Sequence, residues 1–138
     1  MTDRNKQIVR EFYELVVNTG DLDQVDRYVS EDFSEVYDGV VSQSGIQGAR
    51  DIVAGIRSTY DDLNITITRQ FSEGDCIISQ YIMDATHSGR WHGIKPSGKH
   101  ITVTGVNIDR VVDGKIVEHE GAANLFEQML ETGSVVPA

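Results

Sequence analysis

The chain is short of the residues that most often announce a specialised site. A single cysteine, Cys76, in 138 residues leaves no pair for an intramolecular disulfide and no thiolate cluster for zinc. Its neighbours Ile77 and Ile78 suggest a small packed thiol. Basic side chains are scarce as well: 12 Lys and Arg stand against 22 Asp and Glu, a net charge of −10. Such a field repels phosphate backbones and anionic lipid, so neither nucleic acid nor a membrane surface is an expected partner. No apolar run approaches the roughly 18 residues that cross a bilayer. Met1–Lys6 leads straight into a helical pattern with no apolar leader, and a cytoplasmic setting is the expectation. There is no phosphate-loop signature, and no Ser or Cys sits in an activating context.

What remains is one domain, 1–138, with 131–138 read as a loose tail. Its first half is helical. Ile8, Phe12, Leu15 and Val16 recur at helical spacing, widened by Val9 and Tyr13. Leu22, Val25 and Tyr28-Val29 suggest a short second helix, and Ser30–Phe33 a cap and one further turn. A short strand-like piece, Glu35–Val41, carries Tyr37. From Gly48 to Tyr60 the spacing of Ile52, Val53 and Ile56 predicts a third helix.

The second half alternates with period two. Ile65, Ile67 and Phe71 share one face of a strand that turns at Glu73-Gly74-Asp75. A long strand follows, Cys76 to Arg90, whose odd positions (Tyr81, Met83, Ala85, His87) are the more apolar, so His87 is expected to look inward. After a Gly93–Gly98 loop, two β-rich runs flank Asp113-Gly114, a dipeptide suited to the positive φ values of a type I′ hairpin. With these as the two loop residues, Val112 faces Lys115, Arg110 faces Val117 and Ile108 faces His119. The other face then holds Val111 with Ile116, Asp109 with Glu118 and Asn107 with Glu120. Stacked carboxylates repel when buried, which makes the aliphatic face the inner one. His119 and Arg110 then point in, and Asp109, Glu118 and Glu120 form a hydrated or dimer-facing stripe. Ala122–Leu130 predicts a closing helix. Helices followed by a meander of long strands is an α+β arrangement, and a strongly curved sheet of this kind leaves a conical cavity.

Three segments make a resemblance: Ala85-Thr86-His87-Ser88-Gly89, then Gly93–Lys99, then Asp113-Gly114-Lys115-Ile116-Val117-Glu118-His119. In this order they resemble the SnoaL-like polyketide cyclases and their ester-cyclase relatives, within the nuclear-transport-factor-2-like superfamily. The resemblance implies a cone-shaped α+β barrel, usually a homodimer, with helices packed on the sheet around an apolar pocket. It also implies ring closure by an intramolecular aldol step with no metal or organic cofactor. In that family an acidic residue after a Glu-His-Trp segment serves as general acid/base. Here the segment is Glu118-His119-Glu120-Gly121-Ala122-Ala123-Asn124, with Glu120 in place of the tryptophan and Asn124 in place of the aspartate.

Aldol closure needs a proton taken from the carbon next to a carbonyl and a hydrogen bond to the enolate oxygen. His87 and His119 are the acid/base candidates, because imidazole titrates near neutrality; two structural histidines are the alternative. Asn124 could hold an oxygen, or simply cap the closing helix. Tyr13, Tyr37, Tyr81, Met83 and Trp91 are candidate pocket walls or ordinary core. Arg110 is a candidate for an anionic group or for a carboxylate at the rim. The expected ligand is a small, largely apolar carbonyl compound. Three readings stay open: a cofactor-free cyclase or isomerase, a binding module without turnover, and a dimeric interaction protein with a filled cone.

Overall fold

The computed structural model describes residues 2–90 and 93–138. Trp91, expected as a cavity wall, and His92 lie outside the described residues. The α+β architecture is as expected, with N-terminal helices packed on a curved six-stranded sheet and a short C-terminal helix.

Helix α1 (Thr2–Phe12) buries Ile8, Val9 and Phe12 and runs on into a π-helical turn, Tyr13–Val17. There the Asn18 N–H reaches back five residues to the Tyr13 carbonyl at 2.9 Å. The wide turn shifts the helical phase. Leu15, expected in the apolar stripe, is 50% exposed, while Val16 and Val17 face inward.

Helix α2 is a single turn, Val25–Tyr28. The expected continuation through Val29 and the turn at Ser30–Phe33 are corrected: Val29–Tyr37 is strand β1. Val29 and Phe33 are both buried. A spacing of four suits one face of a helix and equally the alternate positions of a strand, so the pattern does not discriminate. Asp38-Gly39, both at positive φ, turns β1 into β2 (Val40–Gln43). Helix α3 (Gly45–Thr59) starts three residues before Gly48.

The other strands are β3 (Asn64–Glu73), β4 (Cys76–Thr86), β5 (His100–Val112) and β6 (Lys115–Ala123). They pair antiparallel in sequence, and β6 then pairs parallel with β1, giving the order β2-β1-β6-β5-β4-β3. β4 ends at Thr86 rather than Arg90, where the Ser88 and Gly89 N–H groups both donate to the Thr59 carbonyl. Helix α4 (Leu125–Glu131) starts later than expected because Ala122 and Ala123 still pair with Val106 and Gly105.

The core lies between α1, α3 and the concave face of the sheet. Val9, Val16, Ile77, Ile101 and Val103 are at most 2% exposed there. Each such side chain contributes about 1.5–3 kcal/mol by leaving water. The odd positions of β4 face inward as expected, Ile77, Met83 and Ala85 included, and His87, just beyond the strand, is buried too.

Two register shifts set the inner face elsewhere. The first falls between Ile67 and Arg69 of β3. Beyond it Phe71 turns out (43% exposed) and Gln70 turns in, its amide donating to the Lys6 carbonyl and the Ser79 hydroxyl. The second falls between Arg110 and Val111 in the β5–β6 pair. No helix among the described residues is long and apolar enough to cross a membrane.

Candidate active site

The β5–β6 hairpin begins as its turn dictates. Asp113 (φ 51°) and Gly114 (φ 78°) take the left-handed conformation, and Val112 pairs with Lys115, Val111 with Ile116. The next pair is Arg110 with Glu118, so Val117 is an extra residue on β6. A bulge of this kind moves every later side chain to the opposite face. Asp109 therefore pairs with His119, and Asn107 with Gly121.

This corrects the expected faces. Asp109, assigned above to a hydrated stripe, is 2% exposed; Ile108, assigned to the interior, is 39% exposed. The argument from stacked carboxylates fails because Glu118 and Glu120 do not share the Asp109 face once Val117 is counted out. His119 keeps its inward place, since the bulge lies between it and the turn. The missed signal was in β5 itself: Ile101, Val103 and Val111 share odd parity with Asn107 and Asp109, and all five are buried.

Asp109 receives two partners. His119 Nδ1 lies 2.7 Å from its Oδ1, and the Tyr13 hydroxyl donates to its Oδ2 at 3.0 Å. Tyr13 continues helix α1 at the head of the π-helical turn, with its phenol over the inner face of β5. The Tyr13 oxygen is also 3.5 Å from His119 Nδ1. Both groups already donate to the carboxylate, so that contact adds little. With Nδ1–H committed to Asp109, Nε2 is the nitrogen left to exchange protons, and it has no hydrogen-bond partner among the described residues.

Electrostatics follow from this geometry. Burial opposes the imidazolium, but the Asp109 charge, the hydrogen bond to it, and the nearby Glu35 and Glu120 charges together raise the His119 pKa above its ordinary value. Glu35 belongs to the set because the parallel β1–β6 register sets it beside His119. Burial, then the Asp109 charge and hydrogen bond, hold the Tyr13 phenol well above its usual pKa, so it stays protonated and donates.

The group opens onto a cavity of about 130 Å³. Its walls are apolar, with Phe12, Phe33, Val53 and Met83 from four different elements. The polar lining is Tyr13, Tyr81, Asn107, Asp109 and His119. Asn107 can lie flat beside the dyad because its neighbour is Gly121: a Cβ there would stand 2.6 Å from Asn107 Oδ1. Among the described residues no three His, Cys, Asp or Glu side chains gather as a metal-ligand set.

Of the residues singled out from sequence, Tyr13, Tyr81, Met83 and His119 line this cavity together. The others lie elsewhere. His87 is fully buried but holds the 93–99 loop instead: its Nδ1 accepts the Ser97 N–H at 3.2 Å, and its backbone bonds Lys99 and Gly98. Asn124 is exposed at the start of α4, with no side-chain capping bond. Tyr37 is 76% exposed beside the β1–β2 turn. Arg110, on the outer face by the alternation of β5, pairs with Asp75 at 3.3 Å. Cys76 is half-buried rather than packed.

Comparison with known proteins fits the fold. The nogalonic acid methyl ester cyclase of Streptomyces nogalater is 26% identical over 74% of this chain and 78% of its own. AclR of Streptomyces galilaeus, a proposed hydroxylase, superposes with a TM-score of 0.84 at 24% identity, over 100% of this chain and 85% of that one. A proposed SnoaL-like polyketide cyclase from Jannaschia gives 0.85 at 20% identity, over 97% and 94%. The family model for SnoaL-like polyketide cyclases matches residues 7–131. The chain belongs to the SnoaL-like polyketide cyclase family.

Proposed function

We propose that the protein catalyses cofactor-free acid/base chemistry on a polyketide-like carbonyl compound, with His119 moving the proton and Asp109 orienting it. The observation that carries this reading is the 2.7 Å Asp109–His119 pair at an apolar cavity, with Nε2 unpaired among the described residues. Its general support is the family, together with a relative named as an ester cyclase.

The chemistry runs as follows. Nε2 takes a proton from the carbon next to a carbonyl, and Asp109 stabilises the imidazolium through Nδ1–H. The Asn107 amide donates to the enolate oxygen in a site that excludes water. The enolate carbon attacks a second carbonyl of the same molecule, one carbon–carbon bond forms, and the new alkoxide takes the proton back from Nε2. Atoms balance with no co-reactant, since the product is an isomer of the substrate. Neither His87 nor Asn124 has a part in this scheme, because neither lines the cavity.

Nogalonic acid methyl ester in deuterium oxide is the test. Cyclised product, or deuterium at the reacting carbon, is expected with the native protein. Both should fall by about 10² or more in Asp109→Asn and His119→Ala. Undiminished turnover in both variants would end the assignment.

A second reading, ligand binding without turnover, is favoured by Asn124 at the position where the family resemblance calls for an acid. It predicts that the same compound is bound and recovered unchanged. A homodimer is part of both readings. Phe71, Ile82 and Ile108 are exposed on the outer face of the sheet, where a second copy would cover them. Sedimentation at micromolar concentration decides between a dimer and a monomer.

A further inference from the structure

A second cavity, of about 380 Å³, lies between α3, β4, β5 and α4. Ile56, Tyr81 and Met83 belong to its wall and to the wall of the first cavity, so the two adjoin across these side chains. Most of its lining is apolar, Val103 and Leu125 included. Beside the hydroxyls of Thr59, Tyr60 and Tyr81, the polar wall includes Gln128, which is fully buried although it belongs to the short terminal helix. The Gln128 amide nitrogen donates to the Tyr60 hydroxyl, and its carbonyl, Oε1, has no partner among the described residues. A buried amide oxygen without a donor is costly, and native proteins rarely leave one so. Gln128 lines this largely apolar cavity, and a polar group in such a wall can fix the orientation of a hydroxylated ligand.

We propose that this second cavity is a subsite for the part of the substrate remote from the reacting carbonyl, and that Gln128 Oε1 accepts a hydrogen bond from a hydroxyl on it. The inference rests on the reading of the first cavity as the reaction site. The first cavity alone has little room for a multi-ring ketone. A ligand that passed Tyr81 and Met83 would place one end at His119 and a hydroxyl at Gln128. Gln128 would then be a specificity determinant: a compound with an ether or hydrogen in place of that hydroxyl leaves Oε1 unpaired and is rejected.

The test uses two probes of equal ring size, 2-naphthol and 2-methoxynaphthalene, titrated against the protein by fluorescence. The native protein should bind 2-naphthol about tenfold more tightly, the worth of one good neutral hydrogen bond. Gln128→Met should bring the two affinities together by weakening 2-naphthol alone, and His119→Ala should leave the tenfold ratio intact. Equal binding by the native protein overturns the proposal. So does a ratio that survives Gln128→Met, or one that vanishes in His119→Ala, which would put the probe on the dyad. Should Gln128→Met fail to fold, a crystal structure with 2-naphthol decides: its oxygen on Gln128 Oε1 supports the subsite, and its oxygen on His119 Nε2 overturns it. These are binding readouts, so failure here leaves the turnover test of Asp109 untouched, and the reverse also holds.

Discussion

Asp109 and His119 face one another across β5 and β6 because Val117 is skipped between them and the hairpin turn. Their 2.7 Å contact couples a fully buried carboxylate to an imidazole that reaches the cavity. Most of what can be measured on this protein follows from that coupling.

The pH dependence of turnover has a definite sign. His119 acts as a base when neutral, and its pKa is raised, so the acidic limb of kcat/KM should lie above the ordinary histidine value of about 6.5. In Asp109→Asn the largest raising charge is gone, while burial and the weaker Glu35 and Glu120 charges remain, so the midpoint should move down. An NMR titration of the His119 ring checks both; an unmoved midpoint would refute the coupling.

Stability should vary with pH in the opposite sense. The folded-state pKa of His119 exceeds the unfolded one, so the folded protein binds its proton more tightly. The contribution is complete below about pH 6.5 and is lost as pH rises through the folded pKa. Urea denaturation across this window should show it in the native protein and not in His119→Gln.

Tyr13→Phe removes the hydroxyl that donates to Asp109 Oδ2. A loss of about 1.5–3 kcal/mol is expected, since the acceptor is a charged, buried group. Activity should decrease without disappearing, because His119 still holds Oδ1. Denaturation midpoints and single-turnover rates separate the two effects.

Gly121→Ala introduces a Cβ 2.6 Å from Asn107 Oδ1 and must push that amide aside. Turnover should fall about tenfold or more if Asn107 serves the enolate, with little change in the melting temperature. An unaltered rate would remove Asn107 from the mechanism.

The hairpin turn, the opening helix and the inward face of β4 were all legible, since each follows from a local signal that nothing distant overrides. The dyad was half legible. His119 lies beyond the bulge on the strand where the extra residue sits, and its parity came out correctly; its partner came out as Ile108. A bulge leaves no composition mark at Val117, so only the longer alternation of β5, Ile101 through Val111, could have exposed it. Phe71 failed for the same reason at the β3 bulge. His87 points inward, as its parity predicts, but depth in the core does not tell which wall a ring belongs to. In its case Nδ1 is held by Ser97, and Nε2 is buried without a partner among the described residues.

The extra Val117 has a consequence for how this site can be lost. It is one residue of slack in an otherwise regular strand, and Asp109 and His119 meet only when it is present. The vulnerable change is therefore a frame of length rather than of chemistry. Deleting Val117 would straighten the strand and leave both side chains of the dyad in the chain. It would turn them out of reach of one another while Val111 and Ile116 went on packing as before.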